Sequence, residues 1–205
     1  EGSAAVAYTI NETSSAGDSR VELDGEALWA TVVSLISETC RRGVIAPNEI
    51  DRIGIASQAQ TFALMDAEGG LLHPFVSWLD TRGAPYAGDI AETLGADFHA
   101  HCSFSSGVSE MQLSKVLWYR RRAPAMLGRA ASVILLPSYV MYRLGGLNLT
   151  DPNVAAMSGL YSLQRGDWWD EALTLCGIGP DRLPELAPLG TPLRTTTLCP
   201  ELPLR

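Results

Sequence analysis

The chain has 205 residues, 23 acidic and 15 basic, giving a net charge of −8. That balance argues against a nucleic-acid surface, and the one dense basic run, Arg120-Arg121-Arg122, is of the kind helices carry as a solvated face. A hydrophobic content of 46% with 19% charged residues describes a globular chain able to build one well-packed domain, and no apolar stretch reaches the roughly 20 residues that span a bilayer.

In chain order, residues 4–10 read as a strand and residues 11–19 as a polar, exposed loop. Asp24 is suited to cap a helix over 25–42, with Leu28, Val32, Leu35, Ile36 and Thr39 on one face and Gly43 as the stop. Residues 50–56 and 61–65 read as strands, and the turn Asp66-Ala67-Glu68-Gly69-Gly70 folds the second back onto Leu71-Leu72 as a hairpin. A short apolar segment, 75–78, follows.

Helical spacing over 82–94 ends at Gly95. A second helix over 110–122, with Met111, Leu113, Val116, Leu117 and Tyr119 forming a broad apolar face, is closed by Pro124. Residues 133–136 are a buried strand, and Pro137 suits the first turn of a helix that ends at Gly145-Gly146. Asp167 is placed to cap a short helix to Leu175, after which Pro180, Pro184, Pro188 and Pro192 mark an irregular tail. A meander of strands followed by strands alternating with helices predicts one α/β domain.

Four cysteines (Cys40, Cys102, Cys176, Cys199) are scattered, without CxxC spacing, which fits a reducing cytoplasm better than a disulfide framework. His99-Ala100-His101-Cys102 lacks the spacing of common zinc sites and reads as a polar loop before the next helix, so no metal site is expected. Ser103, Ser105 and Ser106 have no G-x-S-x-G turn around them and suggest no nucleophile.

The chemistry concentrates in Gln58, Gln60, Trp78, Asp80 and Arg82. Two amides at a strand tip, followed by W-x-D-x-R, supply donors and acceptors for hydroxyl groups and an indole to cover the C–H face of a sugar. Singly, each residue has an ordinary structural explanation: Trp78 as core, and Asp80 as the start of a helix. Together, at the carboxyl end of a strand, they favour a substrate-binding edge. Lys115, Asp151 and Asn153 are weaker candidates: a helix-surface lysine accounts for the first, and turn and capping chemistry for the other two.

The same residues resemble the FGGY carbohydrate kinases. Ile55-Ala56-Ser57-Gln58 stands where that family has its strand tip, and the run from Asp66 through Gly69, Leu72, Pro74 and Trp78 to Asp80 and Arg82 follows its next motif. Lys115-Val116-Leu117-Trp118, Leu136-Pro137-Ser138-Tyr139, Thr150-Asp151, Trp168-Trp169 and Gly177-Ile178 with Leu183-Pro184 continue in order over nearly the whole chain.

The resemblance implies an actin/RNase H-like α/β fold, a mixed sheet flanked by helices. It implies that residues 1–205 are most of the N-terminal, sugar-binding domain, without the family's first phosphate-binding hairpin and without the C-terminal nucleotide domain. The intact protein would move the γ-phosphate of ATP, with Mg2+, to a hydroxyl of a small sugar or polyol. The general-base aspartate would lie in the second domain, so no catalytic residue is assigned here, and this chain alone is expected to be inactive and to bind neither ATP nor Mg2+. Expected partners are the small-molecule sugar or polyol, with room for a homodimer, and neither nucleic acid nor membrane.

Ala59-Gln60-Thr61 matches neither the Met-His-Gly of xylulokinase-like members nor the Arg-Glu-Thr of glycerol kinases, so the acceptor is not read from sequence. The alternative is a non-catalytic sugar-binding or interaction module on the same fold. A hydrolase using Asp80 and Asp151 is weaker, because nothing in the sequence pairs them.

Overall fold

The computed structural model describes residues 2–15, 18–95, 97–102, 104–105 and 108–192. Its centre is a five-stranded sheet made from β1 (Asn11–Ser15), β2 (Asp18–Leu23), β3 (Phe62–Met65), β4 (Phe75–Val76) and β5 (Ser132–Leu135). The spatial order is β1-β2-β4-β3-β5, and every neighbouring pair is antiparallel. Register is fixed by Phe62 opposite both Val76 and Leu135.

Side-chain alternation sends the two faces of β3 and β5 into separate cores. Phe62, Leu64, Val133 and Leu135 join one hydrophobic cluster, while Ala63, Met65 and Ile134 join the other. The second face is covered by α1 (Gly25–Gly43) through Trp29, Val32, Val33 and Ile36, and by Tyr139 further on. The first face is covered by α2 (Ala87–Leu94), α3 (Asp97–Cys102) and α4 (Gln112–Arg122), followed by α5 (Pro124–Arg129). The helix α6 (Leu136–Gly145) leaves β5 directly, with Pro137 in its first turn and Gly146 as a left-handed cap. The remainder comprises β6 (Leu149–Thr150), α7 (Pro152–Ala156), β7 (Tyr161–Ser162), β8 (Asp167–Trp168), α8 (Asp170–Cys176) and β9 (Glu185–Leu186). Here β6 and β9 form the parallel pair and β7–β8 an antiparallel one. Helices on both faces of a sheet make this an α/β domain.

Several expectations are met locally. Asp24 caps α1, its Oδ1 accepting from the amides of Glu26 (2.9 Å) and Ala27 (3.0 Å). In the 66–70 turn, Asp66 Oδ1 accepts from Glu68 and Gly70, and Leu72 N donates to Leu64 O, closing the hairpin. Trp168 and Trp169 are buried packing.

Other expectations are corrected. Residues 11–15 and 18–19 are strand and not loop: β1 and β2 pair antiparallel, with Val21 and Leu23 pointing inward and polar β1 at the sheet edge. Residues 4–10 and 50–56 are not strands; no pairing reaches them among the described residues, and they are largely exposed. An apolar alternation becomes a strand only where another backbone accepts its hydrogen bonds. Residues 99–102 belong to a helix rather than a polar loop, since Phe98 and Cys102 are buried on one of its faces. Asp167 lies in β8, and Trp169 occupies the cap position of α8. Cys199 and Ser103 and Ser106 lie outside the described residues; the other three cysteines are buried and free. No helix among the described residues is long and apolar enough to cross a membrane.

Candidate functional site

The site is built around the turn that leaves β4. Ser77 is fixed from three sides: its amide donates to Val21 O (2.9 Å), its Oγ accepts from Leu79 N (3.2 Å), and its carbonyl accepts from Asp80 N (3.1 Å). The Trp78 amide donates to Thr61 Oγ1 at 3.1 Å, which ties this turn to the residue just before β3. Trp78 and Leu79 project outward, each 43% exposed. The turn is therefore held from inside and carries an indole outside.

Beneath it, Asp80 and Arg82 are 0% and 2% exposed. Asp80 Oδ1 accepts from Arg82 N (2.9 Å) and Nε (2.8 Å), and Oδ2 accepts from Arg82 Nη2 (2.8 Å) and Val21 N (2.9 Å). Arg82 also donates to Glu22 Oε1 (2.6 Å) and Tyr119 Oη (3.1 Å), and its guanidinium lies over the Trp118 ring. Burial raises the Tyr119 hydroxyl well above its ordinary range. The polar atoms of this pair are thus engaged with the protein itself: they set the turn and do not face a solvent cleft.

Gln60, immediately before Thr61, is buried and has a left-handed backbone (φ +64°), rare for a residue with a side chain. Its Oε1 has no hydrogen-bond partner among the described residues. Gln58 is half-buried two residues earlier. With 50–56 unpaired, these glutamines lead into β3 and do not sit at the carboxyl end of a preceding strand.

Lys115 departs most from its sequence reading. It is not a surface lysine: it is 0% exposed, and its Nζ donates to the carbonyls of Ser77 (2.7 Å) and Trp78 (3.1 Å). Burial pulls its ammonium down to about 7, with Asp80 and Glu110 opposing the fall and Arg82 adding to it. The structure therefore brings Trp78 and Lys115 together at Ser77, with Gln60 next in sequence to the Thr61 that holds the Trp78 amide, and places Asp80 and Arg82 below. Asp151 caps α7, its Oδ1 accepting from Asn153 N (2.8 Å) and Val154 N (3.1 Å), and Asn153 is exposed on that helix. No hydrogen bond or ion pair joins Asp151 or Asn153 to the Trp78 turn among the described residues.

Sequence reasoning missed Thr61, Ser77 and Tyr119, which hold the turn, and Gln112. Gln112 is 1% exposed, one helical turn before Lys115, and neither atom of its amide has a partner among the described residues. The signal was available: Gln112, Lys115 and Tyr119 recur at helical spacing beside the apolar positions of α4. No group of three or more His, Cys, Asp or Glu side chains among the described residues is arranged to hold a metal ion.

Residues 3–197 match the FGGY family of carbohydrate kinases, N-terminal domain. The chain belongs to that family. It is 30% identical over 179 residues to glycerol kinase 1 of Pseudomonas aeruginosa, covering 82% of this chain and 36% of that protein. It is 26% identical over 139 residues to the xylulose kinase of Staphylococcus xylosus, covering 68% of this chain and 29% of that one. Among solved structures, the gluconate kinase from Lactobacillus acidophilus superposes with a TM-score of 0.74 at 22% identity, over 88% of this chain and 35% of that one. The fold is therefore that of the FGGY kinases, actin/RNase H-like as the sequence implied. The chain spans about a third of the length of the curated relatives it matches.

Proposed function

We propose that this chain forms the acceptor side of an ATP-dependent carbohydrate kinase, the greater part of its N-terminal, sugar-binding domain. The complete protein transfers the γ-phosphoryl group of ATP to a hydroxyl of a small sugar or polyol. The observation that carries this reading is the exposed Trp78 indole on a turn anchored beneath by buried charges, in a chain whose family acts on carbohydrates. Trp78 covers the C–H face of the acceptor, and Gln58 and Gln60 exchange hydrogen bonds with its hydroxyls. Asp80 and Arg82 hold, from beneath, the turn that carries Trp78.

Phosphoryl transfer is mainly positioning and charge stabilisation, so holding the attacking hydroxyl is a substantial part of the catalysis. ATP and Mg2+ supply the phosphoryl group and neutralise its charge, held by a nucleotide half outside these residues, so this chain alone does not turn over. Glycerol, xylulose and gluconate kinases all appear among its relatives and structural neighbours, which supports a small polyhydroxylated acceptor without choosing one. Three buried free thiols among the described residues support a cytoplasmic setting.

The test is ATP consumption by the complete open reading frame across a panel of ketoses, aldoses, aldonates and polyols, with residues 1–205 as control. Turnover by the complete protein alone on one acceptor class is the expected result. Absence of turnover with retained sugar binding would replace this reading with a non-catalytic sugar-binding module.

A further inference from the structure

We propose that Lys115 is a positioning residue for the acceptor: from inside the core, its Nζ holds the Ser77 and Trp78 carbonyls and thereby sets the orientation of the Trp78 indole. The inference rests on the acceptor-side reading above, and it moves Lys115 away from direct contact with substrate or phosphate. The Nζ is fully enclosed and faces two consecutive carbonyls of one turn at 2.7 and 3.1 Å.

Such an arrangement is costly to build. A buried ammonium gives up its hydration, while the Ser77 carbonyl already accepts from Asp80 N and the Trp78 carbonyl belongs to a residue that water reaches. For stability alone, an apolar side chain filling the same space would do as well. What a methionine cannot do is fix where these two peptide planes point. Lys115 does so from below, while Thr61 Oγ1 fixes the Trp78 amide from the side. The two restraints grip both peptide units of Trp78, so its Cα–Cβ direction follows from groups that never touch the acceptor. Charged groups near Nζ are Asp80 and Arg82 in the same turn and Glu110 ahead of α4. The Asp80 carboxylate is occupied by Arg82 and Val21 N, which leaves the carbonyls as the partners of the ammonium.

The experiment uses the complete open reading frame labelled with 5-fluorotryptophan, its Trp78 resonance assigned by loss in Trp78→Phe. Lys115→Met is expected to shift the Trp78 resonance, to raise the acceptor KM about tenfold, and to leave the ATP KM within about twofold. Lys115→Arg, which keeps a cation and donors, is expected to recover part of that loss. A shifted resonance with an unchanged acceptor KM overturns the proposal, as does an unshifted resonance. If Lys115→Met does not fold, the arginine variant carries the same test: a moved Trp78 signal with wild-type acceptor KM overturns it. Failure of the underlying site reading looks different, because Trp78→Ala would then leave the acceptor KM unchanged. A Trp78→Ala effect without a Lys115 effect removes the Lys115 proposal alone.

Discussion

The carboxylate of Asp80 grips the guanidinium of Arg82 at two points, Oδ1 to Nε and Oδ2 to Nη2, each 2.8 Å, with neither side chain reachable by solvent beyond 2%. Residues two apart in sequence here form a forked ion pair that also binds Val21 N, Glu22 and Tyr119. Such a pair is costly to leave half made, because the remaining charge stays buried.

Asp80→Ala is therefore expected to destabilise the fold by roughly 3–5 kcal/mol, seen as a lowered urea midpoint. In the complete protein, use of acceptor and of ATP should fall in step with the folded fraction. Loss confined to the acceptor, with an unchanged midpoint, would mean that Asp80 contacts the sugar directly.

Gln60 makes the opposite prediction. Its buried Oε1 lacks a partner among the described residues, and an unsatisfied polar atom costs about 1–3 kcal/mol. Gln60→Leu should leave stability equal or higher while raising the acceptor KM at least tenfold and sparing ATP. A destabilised variant with normal acceptor KM would make Gln60 structural.

His73 gives the fold an acid limit. Its Nδ1 donates to Pro74 O, its Nε2 accepts from Leu64 N, and its ring stacks on Tyr119 at 4.9 Å. Burial lowers its proton affinity; Arg82 adds to this, while the Pro74 carbonyl and Glu22 oppose it. The unfolded chain takes up the proton near pH ~6.5 and the folded chain at lower pH. The stabilisation is complete above the unfolded value and is lost as pH falls through the folded one. Urea midpoints at pH 7.5 and 5 should drop more in the wild type than in His73→Gln; equal drops would dismiss this role.

Val44 ends α1 in the left-handed region (φ +53°) and is 90% exposed, one residue beyond the glycine expected to stop the helix. A β-branched residue pays there for a conformation glycine adopts freely. Val44→Gly should raise stability by about 0.5–1 kcal/mol in thermal or urea unfolding, the gain being trimmed by glycine's larger unfolded-state entropy. A loss would show that the αL cap is not strained.

What the sequence discloses here follows the range of each interaction. The Asp24 cap, the Asp66 turn and the Gly146 stop are settled within five residues, and each is readable from its own neighbourhood. The β1–β2 hairpin is not, because polar β1 carries no apolar alternation and forms by pairing with a strand that is itself locked onto β4. Residues 50–56 show the converse: good alternation with no strand partner among the described residues. At the site, W-x-D-x-R was legible as a unit, but its orientation was not. Asp80 and Arg82 turn inward because Val21, Glu22 and Tyr119, some 37 to 60 residues away in sequence, arrive beneath them. Lys115 looked like a surface residue because its partners are carbonyls, which leave no trace in side-chain spacing.

The unpaired run 50–56 also has a consequence for handling. Its isoleucines Ile53 and Ile55, like Val6, Tyr8 and Ile10, keep apolar side chains in water while their amides lack a ladder. In deuterium these amides should label early, well before those of β3 and β5 in the doubly covered part of the sheet. They also offer a ready template for strand pairing between molecules, so residues 1–205 prepared alone should cloud with rising concentration, beginning from these segments.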